Sequence, residues 1–329
     1  MKNVKRWLPG TLISILLIAA ILYFVDLREM LAAIRAADYR LLALALATGF
    51  MWLAVRAVVW RTLLRNRAAY SDVFFTVGEG YLLNNFLPFR LGEVGRAFLL
   101  SRKSDLQFGE ILPTIVIERA LDVGFTAGFL LASLPFIVGA EGAGRIGLIV
   151  AGIVVIGFIA LFLLARYDRW ALDTFHRLSA RWPRLQRFGG GFLESFLTGL
   201  GVLTHGWLLV RVLVLMTVNW LIAILAYYLI VRAFFPEAQF VWGMFALGGA
   251  AFGGAIPSLP GAVGTFEGGM SAALTLLSGD PSTSLAVALT ARLYNYLHSG
   301  VVGGIGLLRE GQTLSGVYQQ LLQLRSKGA

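Results

Sequence analysis

Two stretches of this chain carry the same helix-breaking pattern. Pro88-Phe89-Arg90-Leu91-Gly92-Glu93-Val94-Gly95 and Pro257-Ser258-Leu259-Pro260-Gly261-Ala262-Val263-Gly264 both read P-x-x-x-G-x-x-G, at an offset of 169 residues. Each lies inside an apolar region, and each precedes an apolar segment that holds an arginine. Those segments are Glu118-Arg119-Ala120-Leu121-Asp122 and Ala291-Arg292-Leu293-Tyr294-Asn295, both R-x-x-[D/N]. Proline removes a backbone donor and interrupts a helix, so neither stretch continues as one. A duplicated broken segment followed by a charged apolar helix points to a transporter built from two repeats, with its site where they meet.

Composition sets the class. The chain is 58% hydrophobic and 14% charged, with a mean hydropathy of +0.76, more apolar surface than a soluble core of this length can hide. It has no cysteine, which excludes disulfides, thiolate nucleophiles and cysteine metal sites. His176, His205 and His298 are dispersed and form no metal-ligand pattern. The formal charge of +10 would suit nucleic acid, but the lysines and arginines sit mainly in short loops between apolar runs, which is the orientation signal of a membrane protein. No G-x-x-x-x-G-K-[S/T] signature is present, so any energy source is a gradient, a partner or the cargo's own gradient. No cofactor is implied.

Six apolar runs approach or meet the ~20 residues needed to span: Leu8 to Val25, Leu41 to Trp60, Gly109 to Phe136, Gly144 to Ala165, Gly206 to Val231 and Thr283 to Leu308. The first lacks a small-residue cleavage site and reads as a retained anchor. Two further regions, Val73 to Leu100 and Val241 to Leu277, are broken near their middles by the duplicated motif. Val73 to Leu100 is too short for two crossings and reads as a re-entrant hairpin.

Charge parity supports hairpins for both regions. With them, the N-terminus, the segments around Arg61, Arg65, Arg67, Arg102 and Lys103, the loop from Arg166 to Arg187, and the tail fall on one side. That side collects 17 cationic residues, against five (Arg28, Arg35, Arg40, Arg145, Arg232) on the other. The positive-inside rule makes the first side cytoplasmic, with both termini there. The expected fold is an all-α polytopic membrane protein of one domain, six spanning helices and two hairpins in inverted repeats, at about 73–136 and 241–308. Irregular backbone at that depth must be buried or line a wet cavity, so the tips are expected to face each other.

The central charges are Arg90, Arg96, Arg119 and Arg292 against Glu93, Glu118, Asp122 and Glu267, a balanced set. Glu118 lies about 15 Å along its helix, near the midplane, where an unpaired charge costs at least about 2.5 kcal/mol. Glu118 and Asp122 share a helix face, and Arg119 points about 100° from Glu118, so the helix is expected to present anions and a cation to different neighbours. Buried ion pairs that only tie helices together are the lesser reading of any single residue here, and a weaker one still for the cluster as a whole. Arg56 and Arg211 are expected to snorkel to the cytoplasmic interface. Glu79 fits either the base of the first hairpin or the cavity. Gly248-Gly249 and Gly253-Gly254 read as close helix packing, and His298 as hydrogen-bonded to a neighbour. Between Arg166 and Gln186, Trp170, Leu172, Phe175, Leu178, Trp182 and Leu185 interleave with arginines, as in a basic amphipathic helix on the anionic cytoplasmic leaflet.

Three stretches carry a family resemblance: Leu83-Asn84-Asn85-Phe86-Leu87-Pro88-Phe89-Arg90-Leu91-Gly92-Glu93, Glu118 to Asp122, and Ile256-Pro257-Ser258-Leu259-Pro260-Gly261-Ala262-Val263-Gly264-Thr265-Phe266-Glu267. With these the chain resembles the flippase-like transmembrane domain of lysylphosphatidylglycerol synthases over nearly its whole length. The resemblance implies translocation of a lipid, such as an aminoacylated phosphatidylglycerol, between leaflets of the cell membrane. The soluble aminoacyl-transfer domain of the two-part enzymes has no counterpart before Ala329, so lipid synthesis is expected of a separate partner enzyme and the chain is not expected to be an enzyme itself.

The leading expectation is therefore a lipid flippase with Arg90, Glu93, Arg96, Glu118, Arg119, Asp122, Glu267, Arg292 and Asn295 at its headgroup site. Pro88, Gly92, Gly95, Pro257, Pro260, Gly261 and Gly264 shape the hairpins. Arginines would hold a phosphate and carboxylates an ammonium or sugar hydroxyls. A proton-coupled small-solute carrier on the same repeats and a polyprenyl-lipid-dependent transferase are the alternatives. The hairpin topology is testable, since a chain without cysteine gives no labelling background. A single cysteine at Phe89 should react with impermeant reagent from the cytoplasmic face and one at Ser258 from outside; labelling of both from one face would overturn the inverted arrangement.

Overall fold

The computed structural model describes residues 25–87, 91–133, 162–179, 204–256 and 258–327, with scattered positions between 152 and 200. It is helical throughout, with no strand among the described residues. In chain order the helices are α1 (Leu27–Ala36), α2 (Tyr39–Leu63), α3 (Tyr70–Phe86), α4 (Leu91–Lys103), α5 (Phe108–Ser133), α6 (Asp168–Ser179), α7 (Gly206–Phe234), α8 (Phe240–Ala255), α9 (Thr265–Ser278), α10 (Pro281–Arg309) and α11 (Leu314–Lys327), with a 3₁₀ turn at Pro260–Ala262. Four of the six expected apolar runs coincide with α2, α5, α7 and α10. The runs from Leu8 to Val25 and from Gly144 to Ala165 fall wholly or largely outside the described residues. Among the described residues, α2 and α7 are long and apolar enough to cross a membrane. The charged helices α5 and α10 have 26 and 29 residues, enough length for a ~30 Å core.

Local chemistry sets the element boundaries. Asp38 caps α2 by accepting from the backbone N–H groups of Arg40 (2.8 Å) and Leu41 (3.3 Å), satisfying donors that a helix start leaves open. Asp280 caps α10 through Thr283 N–H at 2.9 Å, with Pro281 in the first helical position. Both broken regions end the same way. Leu87 (ψ 143°) and Ile256 (ψ 128°), each the residue before a motif proline, are extended, and α3 and α8 stop there. Pro88, Phe89, Arg90 and Pro257 themselves lie outside the described residues. Two short helices were not anticipated from sequence. α1 is tied to the start of α10 through Ser282, whose hydroxyl accepts from Asp26 N–H (3.1 Å) and donates to Glu29 (3.1 Å). α11 buries Val317 against Leu82, Leu83, Leu99 and Leu307.

Packing partners are reciprocal. α3 pairs with α4, and α8 with α9; α2 packs on α3 as α7 packs on α8; α4 packs on α5 as α9 packs on α10. The helix after the second break, α10, packs on α3, and the helix after the first break, α5, packs on α8, while α2 and α7 pack on each other. The 3₁₀ turn of the second break also rests on α3. A Cβ at Gly261 would lie 2.9 Å from the Asn85 carbonyl, so the second tip comes against the end of α3.

The outside of the bundle is apolar, and most of its buried polar and charged groups sit among hydrophobic core clusters. Along α10, Leu289, Leu293, Leu297, Val301, Ile305 and Leu308 are exposed while Arg292, His298 and Ser299 are buried. On α7, Trp207, Val210, Val214, Val218 and Leu221 are exposed at helical spacing, and Asn219 is buried. Such faces suit hydrocarbon rather than water.

The α8–α9 hairpin closes through glycine contacts. A Cβ at Gly253 would stand 2.0 Å from the Thr265 carbonyl oxygen, whereas one at Gly254 meets nothing within 4 Å. Gly253→Ala should therefore lower stability by about 1–3 kcal/mol through forced backbone separation, and Gly254→Ala should not; thermal unfolding of the two variants in detergent measures the difference.

Candidate functional site

The first motif and the helix after it assemble a buried charge cluster. Glu118 on α5 is fully buried and sits among three guanidiniums. Arg96 from α4 grips it with both terminal nitrogens, at 3.0 and 2.8 Å. Arg119 donates to it at 2.6 Å. Arg56 from α2 donates to it through Nε (3.0 Å) and Nη2 (2.8 Å), and also donates to both oxygens of Asp122, through Nη1 at 2.8 Å and through Nη2. Asn219 of α7 lies 3.4 Å from the Arg56 Nη1, and its own amide donates to Trp52 O at 2.9 Å. Trp60 lies under Arg96, 3.9 Å from ring centroid to guanidinium carbon. Glu93 on α4 completes the set, 3.6 Å from Arg119 and 4.0 Å from Arg96. Three cations meet three anions, as a low-dielectric site requires if its groups stay ionised.

Exposure separates these residues by role. The side chains of Arg56, Arg96 and Glu118 are 2%, 2% and 0% exposed, whereas Arg119 is 30%, Glu93 18% and Asp122 16% exposed. The first three form the floor and the last three the open edge. At that edge Glu93 Oε2 and Arg119 Nε have no hydrogen-bond partner, and Tyr81 OH lies 3.5 Å from Arg119. Asn84 positions Glu93 by donating to it at 3.3 Å, and also accepts from Gly92 N–H at 2.8 Å, which ties the end of α3 to the start of α4. Gly95 is buried on α4.

The second motif builds a different device. Arg292 on α10 donates to Glu267 through Nε (2.6 Å) and Nη2 (3.2 Å), to Gly261 O (2.5 Å) and to Ala262 O (2.9 Å). Its guanidinium lies over Phe266 at 4.1 Å. The carbonyls it holds belong to a tip with φ of 71° at Gly261, 56° at Ala262 and 86° at Gly264. Glycine takes such values freely; alanine does so at a cost. Glu267 also accepts from Gly264 N–H at 2.8 Å. Arg292 thus clasps the strained tip, and it shares with Arg119 the R-x-x-[D/N] pattern. Asn295, one turn on, donates to Tyr227 OH at 3.4 Å. Asn85 links the halves by donating to Ser299 at 2.8 Å.

Two sequence expectations change. Arg56 does not snorkel; it is buried at the centre of the cluster, because Glu118 and Asp122 on the facing helix need a cation within reach. Arg119 does not serve different neighbours from Glu118 and Asp122. Its long side chain folds back onto both, at 2.6 and 3.2 Å. Of the two places open to Glu79, it takes the base of the α3–α4 pair, where it meets Lys103 at 2.8 Å, and not either charge cluster. Arg211 is exposed near the start of α7 and His298 bonds Leu46 O at 3.2 Å. α6 realises the helical part of the basic segment, with Trp170 and Leu178 exposed. Arg90 is outside the described residues.

The distinction between floor and edge predicts unequal stability effects. Arg56→Ala leaves Glu118 and Asp122 short of a buried partner and should cost about 3–5 kcal/mol, whereas Arg119→Ala, at the open edge, should cost far less. Denaturant unfolding in micelles tests this; an Arg56→Ala variant as stable as the parent would contradict the assignment.

Comparison with known proteins is consistent with a membrane assignment. Residues 7–303 match the family described as the lysylphosphatidylglycerol synthase TM region. Two UPF0104 membrane proteins of Methanothermobacter thermautotrophicus are similar: one at 24% identity, covering 99% of this chain and 100% of the relative, the other at 26%, covering 92% and 95%. A UPF0104 membrane protein of Methanocaldococcus jannaschii is 22% identical over 90% of this chain and 93% of its own. No solved structure is detectably similar.

Proposed function

Because the chain belongs to the family of the lysylphosphatidylglycerol synthase transmembrane region, a family of membrane proteins, we propose that it is a lipid flippase that passes a phosphate-bearing headgroup across the cell membrane without bond chemistry. The observation that carries the reading is the open edge of the charge cluster, where Arg119 offers a guanidinium and Glu93 and Asp122 offer carboxylates beside it. A guanidinium fork matches phosphate oxygens, and carboxylates match the ammonium of an aminoacylated or amine-bearing lipid. The floor of Arg56, Arg96 and Glu118 holds the edge groups in place.

The reciprocal packing of α2–α5 and α7–α10 supports inverted repeats, with α3–α4 entering from the cytoplasm and α8–α9 from outside. The headgroup passes between the tips while its chains stay against the leucine, valine and isoleucine faces of α7 and α10. Both termini are cytoplasmic, and α6 lies on the anionic inner leaflet. A separate enzyme supplies the modified lipid.

Proteoliposomes containing the protein should transfer a labelled anionic or aminoacylated phospholipid between leaflets with its mass unchanged. Arg119→Ala should reduce the rate to the protein-free level, and Arg119→Lys should be impaired because an ammonium lacks the planar fork. A covalently altered lipid would favour a transferase, and uptake of a water-soluble solute with no lipid movement would favour a carrier.

A further inference from the structure

At the cytoplasmic end of the proposed topology, away from both motif clusters, two carboxylates converge on one ammonium. Lys103, at the end of α4, donates to Glu79 of α3 through both carboxylate oxygens (3.1 and 2.8 Å) and to Thr76 Oγ1 (2.9 Å), and it also contacts the carboxylate of Glu310, the C-cap of α10. Glu79 is fully buried, Lys103 13% and Glu310 22% exposed. Gly306 of α10 packs directly on Glu79: a Cβ there would lie 2.3 Å from Oε1. Among the described residues, the other charged groups lining this place are Asp72 of α3 and Arg309 of α10, whose guanidinium lies 4.4 Å from the Phe75 ring centroid. A cavity of about 170 Å³ lined by Asp72, Phe75, Lys103, Gly306, Arg309 and Glu310 opens onto the triad.

The charges do not balance. Lys103 and Arg309 face Asp72, Glu79 and Glu310, which leaves one negative charge in excess beside a buried carboxylate. Two carboxylates that share one site and one cation hold a proton between them, since both cannot ionise without mutual repulsion. We infer that Glu79 and Glu310 form a binding site for one exchangeable proton, loaded through this cavity, and that this proton couples lipid movement to the proton gradient.

The placement gives the proton leverage. Glu79 sits on the first hairpin, and Glu310 ends the helix whose Arg292 clasps the second. With the proton bound, the triad is neutral and fastens α3 and α4 to the end of α10. Without it, two carboxylates compete for Lys103 and the fastening weakens, which frees the first hairpin to move relative to the helix that holds the second. Protonation therefore biases the same element pair that an alternating-access cycle must separate. The coupling half of this inference rests on the flippase reading; the proton site does not.

Two measurements decide it. Infrared spectra of the reconstituted protein should show a protonated-carboxyl C=O band that titrates with pH and is lost in Glu79→Gln and in Glu310→Gln, the second being a check should the buried substitution impair folding. Identical bands in parent and variants would overturn the proton site. In proteoliposomes held at zero membrane potential, one proton per lipid should give a steady-state leaflet ratio of about tenfold per imposed pH unit, and Glu79→Gln should keep lipid exchange but lose the ratio. Lipid movement indifferent to the pH gradient, or driven by sodium instead, would overturn the coupling and leave the flippase reading standing. Absence of any lipid movement would overturn the flippase reading and the coupling together, while the infrared result still decides the proton site.

Discussion

A carboxylate with no water around it must find cations, and Glu118 finds three. Arg56 reaches it from α2, Arg96 from α4 and Arg119 from its own helix, so the charge balance of one residue dictates how three helices sit. Desolvating such groups costs several kcal/mol each, which the mutual attraction recovers only when nearly every donor is used. Arg56 and Glu118 meet this condition, whereas Arg96 Nε on the floor and Glu93 Oε2 and Arg119 Nε at the edge are left without a partner. Asn219 extends the same network to α7, which is why α2 and α7, apolar along most of their length, still meet in one register at the centre of the bundle.

The two broken segments solve a second constraint, backbone polarity without water. Each proline forces an extended residue and stops a helix, leaving carbonyls and N–H groups to be satisfied locally. In the first segment Asn84 supplies the partner by accepting from Gly92 N–H. In the second, Arg292 accepts that task and holds the Gly261 and Ala262 carbonyls of a tip with positive φ. The close approach of Gly261 to Asn85 then brings the second tip against the end of α3.

The sequence made much of this legible because its strongest signals are also the strongest physical demands. Prolines inside apolar runs mark the two breaks, and their residues before proline are extended in both. Charges deep in apolar segments mark the clusters, and Glu93, Arg96, Glu118, Arg119 and Asp122 do converge. Arg56 was not legible, since its distance from a helix end suits snorkelling and only the facing helix reveals its carboxylate partners. The direction in which Arg119 folds was equally hidden, because a side chain of that length is not confined to the angular position of its Cα. α1 and α11 escaped notice because each is too short to span; their helical form depends on docking against α10 and against the first hairpin, a tertiary effect that local pattern does not carry.

The similarity of the two halves gives their difference its meaning. Arg119 and Arg292 occupy matching R-x-x-[D/N] positions and each reaches a carboxylate on its neighbouring half-helix, Glu93 and Glu267 respectively. Arg292 commits its remaining donors to the backbone of its own hairpin, while Arg119 keeps an open face and an unpartnered Nε. A strictly symmetric pair would offer the same donors on both sides. With one guanidinium fixed to the second tip and the other at an accessible edge, the two clusters differ in what they expose, and they are coupled by the packing of α10 and the 3₁₀ turn on α3 and by the Asn85–Ser299 hydrogen bond. On the flippase reading proposed above, a headgroup would engage the first cluster directly and be felt at the second through these contacts, so that occupancy of one site could drive movement at the other.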